Sequence, residues 1–242
     1  MVTGAGRGMG LAIAGELAAE GCNVLLNDIR VEDVAAAAHR LRQEHPVEVE
    51  ECACDVLDGG RVGEMFTRAR ELWGGPDILI NNAGVLEPTR FLDIEEQEWD
   101  RVVNVSLKGP FLCSQAALPT MLEKGWGRIV NMSSSAGRSV STLGGAHYTA
   151  GKAALLGLTR ALAKEVAAHG VTVNAVCPGL IDTEMVRSNV SPDRLEAYKR
   201  SFPIPRLGTA EEVAALVTFL CTERAAYITG AAIDINGGDL MM

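Results

Sequence analysis

Short apolar runs alternate with segments of helical period along almost the whole of this 242-residue chain, and no other feature limits its fold as strongly. The runs are Asn23–Asp28, Val47–Asp55, Ile78–Asn81, Arg128–Met132, Val171–Val176 and Ala231–Ile235. The helical segments between them are Met9–Glu20, Val31–Glu44, Arg61–Trp73, Glu95–Met121, His147–Ala168 and Glu211–Leu220. Asp93 followed by Glu96 reads as a capping box for the fourth helix. The runs are continuously apolar rather than alternating, as expected of strands covered on both faces. Strand–helix alternation then predicts an α/β fold, a doubly wound parallel sheet in three layers with right-handed crossovers. No Pro/Ser-rich linker or shift of composition divides the chain, so one domain over 1–242 is expected. Met1-Val2-Thr3 leaves almost no first strand: either the numbering starts inside a longer chain or that strand is unusually short.

Charge excludes some partners. Asp plus Glu number 31 against 22 Lys plus Arg, a net −9 that would repel nucleic-acid phosphates and anionic membranes. No apolar run reaches the ~18 residues of a membrane span, and no basic-then-apolar leader opens the chain. The six cysteines contain no C-x-x-C pair and mostly lie in apolar stretches, as reduced thiols of a cytoplasmic protein do. His39, His45, His147 and His169 lack the i,i+4 spacing or acid and thiol neighbours of a zinc site, so no metal is expected.

Thr3-Gly4-Ala5-Gly6-Arg7-Gly8-Met9-Gly10 leads from the first strand into a helix. Glycines allow the tight bend, and a pyrophosphate can meet free N–H groups at the helix N-terminus. Asp28 ends the second run 18 residues after Gly10, near the ~20 at which an acid binds ribose hydroxyls. Together these features read as a Rossmann-type dinucleotide site. Further along, Tyr148 and Lys152 are four residues apart and share a helix face. A nearby ammonium favours the phenolate and lowers the Tyr pKa, making the pair suited to acid/base exchange between alcohol and carbonyl.

The chain resembles the short-chain dehydrogenase/reductase family over essentially its whole length. Six motifs occur in the family's order: T-G-x-x-x-G-x-G at 3–10, Asn81-Asn82-Ala83-Gly84, Asn104, Asn131-Met132-Ser133-Ser134, Tyr148-x-x-x-Lys152 and Pro178-Gly179. Ile228-Thr229-Gly230 and Asp234–Gly238 look like its closing segment. The resemblance implies a tetrad of Asn104, Ser134, Tyr148 and Lys152. Tyr148 would exchange the proton, Ser134 would orient the substrate oxygen, Lys152 would lower the Tyr pKa and hold the nicotinamide ribose, and Asn104 would support a water relay. Counting back 13 residues from the Tyr, as in many relatives, selects Ser135 instead. The strand-end motif selects Ser134, with Ser133 as a structural hydroxyl.

The resemblance also implies the cofactor contacts. Gly4, Arg7, Gly8 and Met9 match the pyrophosphate turn, and Asp55 and Val56 the adenine site. Asn82, Ala83 and Gly84 lie along the ribose, and Pro178, Gly179, Ile181 and Thr183 beside the nicotinamide. Asp28 favours NAD; Arg7 and Arg30 point toward NADP, which stays possible. The expected activity is interconversion of a secondary alcohol and a ketone. The wording is similar to 3-oxoacyl-acyl-carrier-protein reductases, but Gly125 and His169 replace basic residues suited to an acidic carrier protein. A small alcohol, polyol, hydroxysteroid or hydroxy acid stays open. A non-catalytic dinucleotide-binding scaffold would predict a broken tetrad, whereas all four positions are filled. The loop Asp182–Pro205, the family's substrate lid, carries Met185, Val186, Val190, Tyr198 and Phe202. A homotetramer is expected from the resemblance and from the apolar excess of helices 95–121 and 147–168.

Overall fold

The computed structural model describes residues 1–242. Seven strands form one parallel sheet in the order β3-β2-β1-β4-β5-β6-β7. They are β1 (Val2–Thr3), β2 (Val24–Asp28), β3 (Val49–Ala53), β4 (Ile78–Asn81), β5 (Gly127–Met132), β6 (Val171–Pro178) and β7 (Ala232–Ile235). The chain winds outward from β1 to β3, then returns to the other side of β1 at β4. That reversal opens a crevice outside the carboxyl ends of β1 and β4, where α/β sheets bind ligands.

Eight α-helices complete the fold: α1 (Gly8–Ala19), α2 (Val31–Glu44), α3 (Gly59–Trp73), α4 (Glu96–Lys124), α5 (Ala146–Val166), α6 (Glu184–Asn189), α7 (Pro192–Ser201) and α8 (Ala210–Leu220). One core joins the sheet to α1, α2 and α8 through Ile13, Leu17, Leu41, Val213 and Leu220. The other joins it to α3, α4 and α5 through Met65, Phe66, Cys113, Met121 and Val166. Every residue of β5 and β6 is buried, as both faces being covered requires, including the polar Arg128, Asn131, Thr172 and Asn174. Shortest of the strands, β1 is held by pairing Val2 with Leu26 on one side and Ile80 on the other.

Two sequence expectations need correction. Asp93 does not cap α4: it closes a 3₁₀ turn at Phe91–Asp93, and the cap position falls on Glu95, with Glu96 as the first helical residue. A true capping box sits instead at α8, where Thr209 and Glu212 each bond the other's backbone N–H. The segment 182–205 is not simply a loop, since it holds α6 and α7. Helix α7 has no buried residue and hence no apolar period to read, although Pro192 begins it well after Ser191.

Candidate active site

Gly4 and Gly8 have φ of +62° and +56°, a left-handed conformation that side chains rarely adopt. A Cβ on Gly10 would lie 2.1 Å from the Gly4 carbonyl oxygen, so only glycine lets α1 start this close to the strand end. Arg7 stands at the N-cap without a capping side chain, leaving the first N–H groups of α1 directed at the crevice. Thr3 Oγ1 accepts from the N–H groups of Asn82 and Ala83, both at 3.0 Å, while Asn82 Nδ2 donates to the carbonyls of Thr3 and Gly4. This ties the segment after β4 to the glycine turn.

Asp28 stands at the end of β2. Its Oδ2 accepts from Gly6 N–H at 3.0 Å and its Oδ1 from Arg30 N–H at 3.1 Å, which orients the carboxylate and leaves further lone pairs free. The two arginines that could greet a phosphate are both engaged by acids. Arg7 pairs with Glu184 of α6, and Arg30 pairs with Asp33 at 2.7 Å.

Helix α5 carries Tyr148 and Lys152 beside the end of β5. The Lys152 ammonium donates to the Met132 carbonyl at 2.7 Å and sits 5.8 Å from the Tyr148 ring centroid. Ser134, rather than Ser135, acts on the Tyr148 phenol and favours its ionised form. Its hydroxyl also accepts from Ala136 N–H, while Ser135 begins the following 3₁₀ turn. Ser133 donates to the Lys152 carbonyl at 2.8 Å, the structural bond expected of it. Burial raises the Tyr148 pKa above its ordinary value, and Ser134 only partly opposes this. Burial also lowers Lys152 to about 8. Burial is thus the larger of the two influences on the phenol.

A cleft of about 470 Å³ joins these parts. Its walls include Gly4, Arg7, Gly8, Met9, Asp28, Asp55, Val56, Asn82, Ala83, Gly84, Tyr148, Lys152 and Thr183. Asn104, Ser134, Pro178, Gly179 and Ile181 do not line it. Asn104 lies on α4, which packs on α5. Gly179 faces β7's end, its N–H donating to Ile235 and its Cβ site 2.8 Å from Asn236, and Ile181 is buried in the core under a bridge to Gly208. Pro178 is the buried last residue of β6. Sequence reasoning missed Asn27, Cys54, Leu57, Val85, Arg101 and Val105 as wall residues. Arg101 and Val105, one helical turn apart on α4, form a pair that periodicity could have found. A second hollow of about 570 Å³ lies at the opposite ends of the strands, around Met1, Trp73 and Trp126, and holds none of these groups.

Residues 4–239 match the sequence family described as enoyl-(acyl carrier protein) reductase. The chain is 40% identical to the 3-oxoacyl-[acyl-carrier-protein] reductase of Aquifex aeolicus over 98% of its own length and 95% of the relative's. It is 39% identical to an uncharacterized short-chain type dehydrogenase/reductase of Sinorhizobium fredii, covering 97% of this chain and 93% of that one. A 3-oxoacyl-[acyl-carrier protein] reductase from Brucella melitensis, solved with bound NAD, superimposes with a TM-score of 0.92 at 32% identity, covering 99% of this chain and 90% of that one.

Proposed function

Since this chain belongs to the short-chain dehydrogenase/reductase family, we propose that Tyr148 and its neighbours interconvert a secondary alcohol and its ketone. The family assignment makes the protein an oxidoreductase acting on CH–OH or keto groups with NAD(P). The observation that carries the site reading is a single cleft that has Tyr148 and Lys152 in its wall together with the glycine turn. The bends at Gly4 and Gly8, too tight for side chains, fit a pyrophosphate brought close to backbone N–H groups. When bound there, the nicotinamide supplies or accepts the hydride. Tyr148 gives its proton to the carbonyl oxygen in reduction and takes it back in oxidation. Ser134 orients that oxygen, Lys152 holds the ribose, and Asn104 supports a water relay to Lys152.

NAD is the preferred cofactor in this reading. Asp28 is oriented at the ribose position, while Arg7 and Arg30 are occupied by Glu184 and Asp33. Residues 182–205 serve as the lid over a single domain. The assembly is a homotetramer, supported by exposed Phe91, Leu92, Trp99 and Phe111 at and before α4. Ala153 and Ala154 of α5 are likewise exposed, and the Cβ site of Gly157 is open. Six free cysteines suit a cytoplasmic location. A second substrate reading, a 3-oxoacyl group on a carrier protein, is favoured by the relatives' names; Gly125 and His169 leave the expected basic contacts missing. Titration with NADH and NADPH, followed by turnover on a panel of ketones, alcohols and a 3-oxoacyl thioester, tests the proposal. Binding without turnover on any member would overturn it.

A further inference from the structure

His147 precedes Tyr148 in the first turn of α5 and is completely buried. Its Nδ1 lies 2.8 Å from the Tyr148 backbone nitrogen, and its Nε2 lies 2.7 Å from Oε1 of Glu98, in the first turn of α4. A backbone N–H can only donate, so Nδ1 must accept and carry no proton. The neutral ring then holds its proton on Nε2, facing a carboxylate that accepts it. Thr89, in the segment after β4, and His147 hold the Glu98 pKa below the usual value.

The surroundings leave this imidazole little freedom. Gly145, the N-cap of α5, offers no side chain to the unpaired N–H groups of the first turn. Its N–H donates to the Glu87 carbonyl at 2.8 Å, and a Cβ there would lie 2.6 Å from the Thr89 carbonyl oxygen and 2.8 Å from His147 Cε1. The Trp99 ring packs on the same histidine, with centroids 6.4 Å apart. Three segments distant in sequence therefore meet on one ring, directly behind the Tyr148 backbone.

We propose that His147 is a positioning residue for Tyr148, its tautomer set by Glu98 so that Nδ1 fixes the turn from which the phenol is aimed at Ser134. The inference rests on the reading of Tyr148 as proton exchanger. A displacement of about 1 Å at a reacting group can cost on the order of 10²-fold in rate, so a bond to its own backbone matters.

Two conservative variants separate the two contacts. In His147→Asn the amide oxygen can stand where Nδ1 was, keeping the acceptor for Tyr148. In His147→Gln the amide can reach Glu98 but leaves no acceptor at that place. The expected result is kcat within about threefold of the parent for Asn and a loss of about tenfold or more for Gln, with KM for NADH little changed in both. Equal kcat in the two variants, or a loss confined to KM, overturns the proposal. ¹⁵N-histidine NMR of the parent reads the tautomer directly and needs no substrate. A protonated Nε2 with a bare Nδ1 at pH 7.5 is expected, and the opposite tautomer or an imidazolium overturns it. Should both variants fail to fold, Glu98→Ala is read instead: a several-fold fall in kcat with loss of that NMR signature supports the role, and unchanged kcat overturns it. If no substrate turns over while NMR shows the expected tautomer, the Tyr148 reading fails and the His147 geometry stands.

Discussion

The proposed preference for NAD rests on the Asp28 carboxylate. A 2′-phosphate would bring roughly two negative charges beside it, each pair costing ~1 kcal/mol in water and ~4 kcal/mol at an effective dielectric of 20 for a 4 Å separation. The expected preference for NADH in kcat/KM is about a hundredfold or more, and Asp28→Ser should narrow it. Equal or better use of NADPH by the parent refutes the assignment. Tyr148→Phe keeps the ring packing and removes only the hydroxyl. Turnover should drop by at least about 10²-fold while NADH binding stays within a few-fold, and activity above about a tenth of the parent would rule out the proton role. Lys152, lowered to about 8 by burial, has a consequence for stability. Between about 8 and its unfolded value the unfolded chain binds more protons than the native one, so this group makes the fold more stable as pH rises through that window. Below pH 8 its penalty is fully present, on the order of 3 kcal/mol. Urea midpoints at pH 8 and 9.5 should rise for the parent relative to Lys152→Met; no difference in slope between the two would contradict the buried charge.

Among the elements, the pairing of α4 with α5 matters most to the site, because the two helices carry Asn104, Glu98, Tyr148 and Lys152. Their approach depends on Gly151, where a Cβ would lie 2.8 Å from the Ser106 Cβ. Gly151→Ala should therefore destabilise the fold by about 1–3 kcal/mol, as overpacking does, despite alanine's better helix propensity. A thermal midpoint equal to or above the parent's would show that the helices can part at no cost. Most elements were legible in the sequence because their apolar period is strong: α2, predicted at Val31–Glu44, has those bounds in the structure. Helix α7 was illegible for the converse reason, and the cap of α4 was misread because Asp93 belongs to a turn of its own.

For the whole molecule, the exposed apolar side chains at α4 bear on assembly. Phe111 is 44% exposed on that helix, with Phe91 and Leu92 more so just before it. A tetramer that buries this face should give four times the chain mass by light scattering at micromolar concentration, and Phe111→Glu should lower it. A monomer mass for the parent would disprove the assembly. No helix is long and apolar enough to cross a membrane. What the sequence determined alone was whatever follows from short-range spacing: alternating periods made the parallel sheet, glycines made the turn, and an i,i+4 step put Tyr148 and Lys152 on one face. Only the folded chain decided that Gly179 and Ile181 support rather than line the cleft, and that burial raises Tyr148. It alone also brought Glu98 to His147. Those outcomes depend on loss of water and on contacts between residues tens of positions apart, and neither leaves a periodic trace along the chain.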